Sequence, residues 1–190
     1  MSRAGFVLVG GRSARMGRDK ALLEYRGAAL VDHVARQVAE AAGSVVLVGH
    51  PERYSHLPYS RIADEYSDAG PLGGIHAALG ATAADWNLMV GCDMPAVTAA
   101  FLGQLLEQAA GCGADCLVAR SPTGRAEPLC AVYHRRCRES LAGWLDRGRR
   151  KAADWLASQR VSWYAVVSGD RLRNLNTPEE WDQYIEGPHG

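Results

Sequence analysis

The sequence predicts an α/β three-layer sandwich, with a mostly parallel sheet covered by helices on both faces. Three observations carry that prediction. Short apolar runs such as "FVLV" (6–9) and "VVLV" (45–48) stop abruptly at glycine, as strands buried on both faces do. Amphipathic stretches of helical period alternate with these runs along the chain. Strand, helix and strand also follow one another between residues 6 and 48, which is a βαβ unit with an expected right-handed crossover.

The elements follow in order. After the first strand and a glycine-rich loop, "LVDHVARQVAEAA" (30–42) sets Leu30, Val31, Val34, Val38 and Ala41 at helical spacing, and Gly43 is placed to end the helix. "RIAD" (61–64) reads as a short strand ending at Asp64. In "GPLGGIHAALGA", Pro71 suits a first helical turn, and Gly73 and Gly74 leave the start of that helix without side chains. "NLMVGCD" (87–93) is a strand ending on an acid, and Thr98 caps a helix running to about Gly111. "DCLVAR" (115–120) and "PLCAVY" (128–133) are strands around the turn-rich "SPTGRAE". Helices over 135–147 and 149–159 precede a last strand, 161–167. "NTPEEW" then supplies a capping box, with Thr177 as N-cap, Pro178 at the first helical position and Glu180 three residues after the cap. No linker or repeat interrupts the pattern, so one domain over 1–190 is expected.

Composition limits the function. Lysine plus arginine and aspartate plus glutamate number 21 each, so no overall field attracts nucleic acid or an anionic membrane. No apolar run reaches the roughly 20 residues of a membrane span, and the chain reads as a cytoplasmic protein with neither nucleic-acid nor membrane partners. The five cysteines have no zinc-ribbon pairing and read as free thiols. The six histidines show no metal-ligand spacing. Only Lys20 and Lys151 are lysine, so a lysine closing the first loop is less easily dismissed as generic surface charge.

In such sheets ligands bind beyond the carboxyl ends of the strands, where Gly10, Asp64 and Asp93 fall. The loop "GGRSARMGRDK" matches neither a dinucleotide fingerprint nor a P-loop: five residues separate Gly11 from Gly17, and Lys20 comes three later. Its ingredients still suit a nucleoside triphosphate, because glycines let backbone N–H groups approach an anion while Ser13 donates and Arg15 and Lys20 bring charge. A plain structural turn is the other reading. Asp93, with Pro95 stopping its strand, fits a Mg²⁺ ligand, since that ion is usually held by one or two carboxylates plus phosphates and water; a turn aspartate is the alternative. Asp64 either accepts hydrogen bonds from a base or ribose or simply ends its strand. Asn174 and Asn176 flank Leu175 on a common side and either bind ligand or satisfy backbone groups.

The stretches "LVGGRSARMGRDKALL", "DAGPLGGI", "VGCDMP", "EPLCAVY" and "LNTPEE" occur in an order and spacing that resembles the MobA family of molybdenum cofactor guanylyltransferases, from residue 6 to about 185. The resemblance implies a Rossmann-like nucleotidyltransferase sheet and a reaction in which the terminal phosphate of molybdenum-molybdopterin attacks the α-phosphate of GTP. It implies that Leu8, Val9 and Gly10 meet the nucleotide by their backbone and that Gly11, Ser13 and Gly17 belong to the phosphate loop. Arg15 and Lys20 would neutralise phosphate charge, Asp64 would contact nucleotide, and Asp93 would hold Mg²⁺. Gly73, Gly74, Asn174 and Asn176 match positions on the molybdopterin side. Transient contacts with cofactor-insertion and acceptor proteins are implied too. Two departures bear on the base: Val9 stands where the family usually has alanine, and Gly49 aligns with a nucleotide-contacting asparagine. A relative that uses CTP, or another phosphorylated acceptor, is the alternative.

Overall fold

The computed structural model describes residues 1–9, 19–66 and 68–187. Its core is a sheet of order β5-β4-β1-β6-β8-β7-β9, seven strands among the described residues. The strands are β1 (Arg3–Val9), β4 (Val46–Gly49), β5 (Ser60–Ala63), β6 (Trp86–Gly91), β7 (Cys116–Arg120), β8 (Ala126–His134) and β9 (Val161–Ala165). β1 pairs in parallel with β4 and β6, β4 with β5, and β7 with β9. Only β8 runs against its neighbours, pairing antiparallel with β6 and β7. The expected mostly parallel sandwich is therefore present, with one reversed strand set into the middle of the sheet.

That reversal decides where β8 contributes. The parallel strands all end at one edge of the sheet, so the beginning of β8, around Glu127, lies at that same edge.

Helices cover both faces. On one side α1 (Leu30–Ala42) buries Leu30, Val31, Val34, Ala35 and Val38 in a core shared with β1 and α3 (Ala99–Gly111). Full burial of each such valine or leucine is worth about 1.5–3 kcal/mol. Gly43 ends α1 in the left-handed conformation at φ 79°, as its sequence position predicts. On the other side α2 (Pro71–Gly80) and α4 (Cys137–Asp146), with α5 (Ala152–Ala157), pack over Phe6, Met89, Val118 and Tyr133. Thr98 caps α3 through Phe101 N–H, and Thr177 with Glu180 closes the expected capping box of α6 (Pro178–Glu186).

The boundaries differ in instructive places. A two-stranded hairpin, β2 (Glu24–Tyr25) with β3 (Ala28–Ala29), precedes α1. Strands of two residues are too short to show any alternation. β6 stops at Gly91, so Cys92 and Asp93 sit in the following turn rather than in the strand. β8 begins two residues earlier than the apolar run suggests, on Ala126 and Glu127. α5 begins at Ala152 instead of 149, because Gly148 turns the chain at φ 73° and the Arg150 guanidinium donates to the Leu145 carbonyl at 2.7 Å. The last strand ends at Ala165, leaving Val167 exposed.

Candidate active site at the carboxyl edge of the sheet

Three segments far apart in sequence meet at Lys20. Its Nζ donates to Asp93 Oδ2 at 2.6 Å and to Asn176 Oδ1 at 3.0 Å. The Lys20 and Asp93 side chains are only 15% and 16% exposed, so this pair is mostly out of water. Each partner is fixed by local structure. Asp19 accepts the Ala21 N–H (3.1 Å) and thereby caps the 3-10 turn Lys20–Leu22. The hydroxyl of Tyr54, a residue 2% exposed in the turn after β4, donates to the other Asp19 oxygen at 2.9 Å. Asp93 follows β6, and its carbonyl accepts the Leu175 N–H at 3.0 Å. Asn176 gives its own N–H to Glu180 Oε2 at 2.6 Å, so the capping box of α6 also anchors the segment that reaches Lys20.

Leu175 is 1% exposed, and the asparagines on either side of it face the site as the alternation predicts. Asn174 Nδ2 donates to Glu127 Oε2 at 2.9 Å, and Arg125 Nη2 donates to the same oxygen at 2.9 Å. Glu127 is 12% exposed; burial raises its carboxyl above the usual range against the lowering pull of Asn174 and Arg125, and the charge of Asp93 raises it further. Sequence reasoning passed over Glu127. The signal was an acid opening the "EPLCAVY" run, but nothing in the sequence says that this strand runs backwards.

The other candidates lie on the β1, β4 and β5 side. Asp64 follows β5; its Oδ1 accepts the Tyr66 N–H at 2.9 Å, and burial raises its carboxyl above the ordinary value. Gly73 lies against that carboxylate, where an added Cβ would stand 2.5 Å from Oδ1, and at Gly74 a Cβ would stand 2.7 Å from Leu8 Cδ2. Both glycines are buried, and their lack of side chains lets the first turn of α2 press onto Asp64 and the end of β1. Asp64 and Gly73, expected on the nucleotide and molybdopterin sides respectively, thus touch each other.

Leu8 is 7% exposed and Val9 1%, and the Val9 side chain goes into the core, which leaves its backbone as the group it can offer. Gly49 adopts φ 156°, and a Cβ there would stand 1.8 Å from the Val9 carbonyl oxygen, so this backbone admits no side chain at the position. His50, exposed just beyond it, is near enough for its charge to act on Asp64. Cys92, in the turn after β6, is buried, and burial pushes its thiol up to about 12. Gly10, Gly11, Ser13, Arg15 and Gly17 lie outside the described residues.

A sheet of this order, with a lysine, acids and asparagines gathered at its carboxyl edge, has the make-up of a nucleotide-transferring enzyme. Comparison with known proteins gives the class a family. Residues 5–162 match the MobA-like NTP transferase domain. A probable molybdenum cofactor guanylyltransferase from Nostoc sp. is 33% identical, covering 92% of this chain and 86% of that protein. One from Synechococcus elongatus is 35% identical, covering 95% and 97%. Among solved structures, molybdopterin-guanine dinucleotide biosynthesis protein A from Archaeoglobus fulgidus superposes with a TM-score of 0.82 at 26% identity, covering 95% of each chain. The chain belongs to the MobA-like NTP transferase family and is a nucleotidyltransferase.

Proposed function

We propose that the enzyme acts in molybdenum cofactor biosynthesis, transferring GMP from GTP to the terminal phosphate of molybdenum-molybdopterin. A phosphate oxygen of the acceptor bonds to the α-phosphorus, the bond to the β-phosphate bridge breaks, and pyrophosphate leaves with that electron pair. The observation that supports this reading best is the meeting of Lys20, Asp93 and Asn176 beyond β6. Both reactants are anions, and such a step needs positioning and charge stabilisation more than covalent help.

On this reading Lys20 balances charge on the phosphates, together with Arg15 of the preceding loop. Asp64 and the backbone of Leu8 to Gly10 serve the nucleotide, while Asn174 and Asn176, together with Gly73 and Gly74 of α2, serve the acceptor. Mg²⁺ fits the residues present: the Asp93 carboxylate already accepts a cation, the Lys20 ammonium, and oxygen is the donor Mg²⁺ takes. Bound at Asp93, Mg²⁺ would neutralise triphosphate charge. Relatives named as guanylyltransferases support guanine as the base, and a cytoplasmic enzyme is part of the same reading.

The test is transfer itself. Purified protein with Mg²⁺, molybdenum-molybdopterin and either GTP or CTP is expected to release pyrophosphate with GTP. Release with CTP alone overturns the base assignment, and release with neither overturns the acceptor.

A further inference from the structure

Glu127 enters the site from the start of the one reversed strand, and its chemistry fixes a property of its neighbour. An ionised carboxylate can only accept hydrogen bonds. The Asn174 amide must therefore turn its NH₂ toward Glu127 Oε2, where it sits at 2.9 Å, and its Oδ1 is the end left without a hydrogen bond among the described residues. Arg125, donating to the same Oε2 at 2.9 Å, holds the carboxylate in place from the other side. Asn176 is fixed in the opposite sense. Its Oδ1 faces the Lys20 ammonium, which only donates, so its NH₂ is the end left without a hydrogen bond among the described residues. One asparagine thus offers an acceptor and the other a donor.

We propose that Glu127 is a positioning residue that sets the polarity of Asn174, so that the site presents a hydrogen-bond acceptor to the donor edge of a pterin. The proposal rests on the functional reading above. A pterin carries N3–H and a 2-amino group on one edge of its pyrimidinone ring, both of them donors. Guanine carries the same 2-amino-4-oxo edge, so the ring chemistry alone does not separate the two. Strand order does. Glu127 belongs to β8, whereas the backbone expected to meet guanine belongs to β1 and its neighbour β4, and β6 with Asp93 lies between them. The acceptor offered by Asn174 is on the side away from the nucleotide backbone. The NH₂ of Asn176, beside Lys20, matches a phosphate oxygen instead.

The experiment is a fluorescence titration of the purified protein with molybdopterin, and separately with GTP and Mg²⁺, for wild type, E127A, N174A, N174D and the double variant E127Q/N174D. Losing the fixed partner is expected to raise the molybdopterin Kd about tenfold in E127A, and N174D, where two carboxylates would face each other, is expected to do the same. N174A, which leaves Glu127 paired with Arg125, should lose as much. GTP affinity should stay within about twofold throughout. In E127Q/N174D the glutamine NH₂ can donate to the new carboxylate, which again presents an oxygen to the ligand, and molybdopterin affinity should return to within about threefold of wild type. Thermal melts confirm that each variant is folded; should E127A not fold, N174A and the double variant decide. Wild-type molybdopterin affinity in E127A and N174A overturns the proposal, as does a double variant no better than N174D. Loss of GTP affinity instead places guanine at Asn174 and also overturns it. A wild type that binds GTP and no molybdopterin overturns the functional reading, and this proposal with it.

Discussion

Lys20 is gripped by two oxygens, Asp93 Oδ2 and Asn176 Oδ1, in surroundings that leave its side chain 15% exposed. On the proposed reading, a cation so placed stands ready for the phosphates of the nucleotide. Lys20→Ala and Asp93→Ala are each expected to slow nucleotide transfer at least about a hundredfold, roughly 2.7 kcal/mol of transition-state stabilisation, in steady-state pyrophosphate release. Near-wild-type turnover in both variants would overturn the assignment of Lys20 and Asp93 to the transfer step. Asp64 behaves differently. Burial raises its folded carboxyl above the ordinary value of 3.8, so its ionisation costs stability. The cost is absent below 3.8, where folded and unfolded chains are both protonated, and develops as pH rises through the folded value. Asp64→Asn is therefore expected to melt at or above the wild-type temperature at pH 7 and to lose that advantage near pH 3. A variant that melts below wild type only at pH 7 would show the ionised carboxylate to be stabilising.

At the scale of elements, α6 does more than cover the sheet. Its capping box satisfies the first N–H groups of the helix, and the Glu180 carboxylate also takes the N–H of Asn176. Glu180→Ala should cost about 1 kcal/mol of stability, a few degrees of melting temperature, while reducing transfer more than the melt alone explains, because Asn176 loses its tether. Activity unchanged at temperatures where the variant is folded would separate the helix cap from the site. This element also shows what a sequence can disclose. "NTPEE" fixes a helix start by side-chain chemistry within four residues, so the cap, and the position of Asn176 just before it, were legible. Asp93 was legible for a similar reason, an apolar run closed by an acid and a proline. Glu127 was not, because alternation of apolar and polar residues reads the same whichever way a strand runs. The Tyr54–Asp19 bond was equally silent, since it joins residues 35 apart through a tertiary contact.

For the molecule as a whole, alternation of strands and helices sufficed to place the layers, and the rule that ligands gather at carboxyl ends sufficed to bring Asp64 and Asp93 to one edge. Strand order was not available from periodicity. It arises from how the faces pack, with β8 slipping between β6 and β7 so that its beginning joins the ends of the others. The α2 glycines gained a different meaning from the fold: they let a helix close on Asp64 and Leu8.

The bond from Lys20 to Asn176 spans 156 positions of the chain. Synthesis at about 5–20 residues per second puts roughly 8–30 seconds between the making of the two. Throughout that interval a growing chain can carry its first strand and loop, and even fold around them, yet lack the residue that steadies the lysine. The grip on Lys20 is thus completed only once residue 176 has been made, and a chain halted before it lacks the amide that shares the ammonium with Asp93.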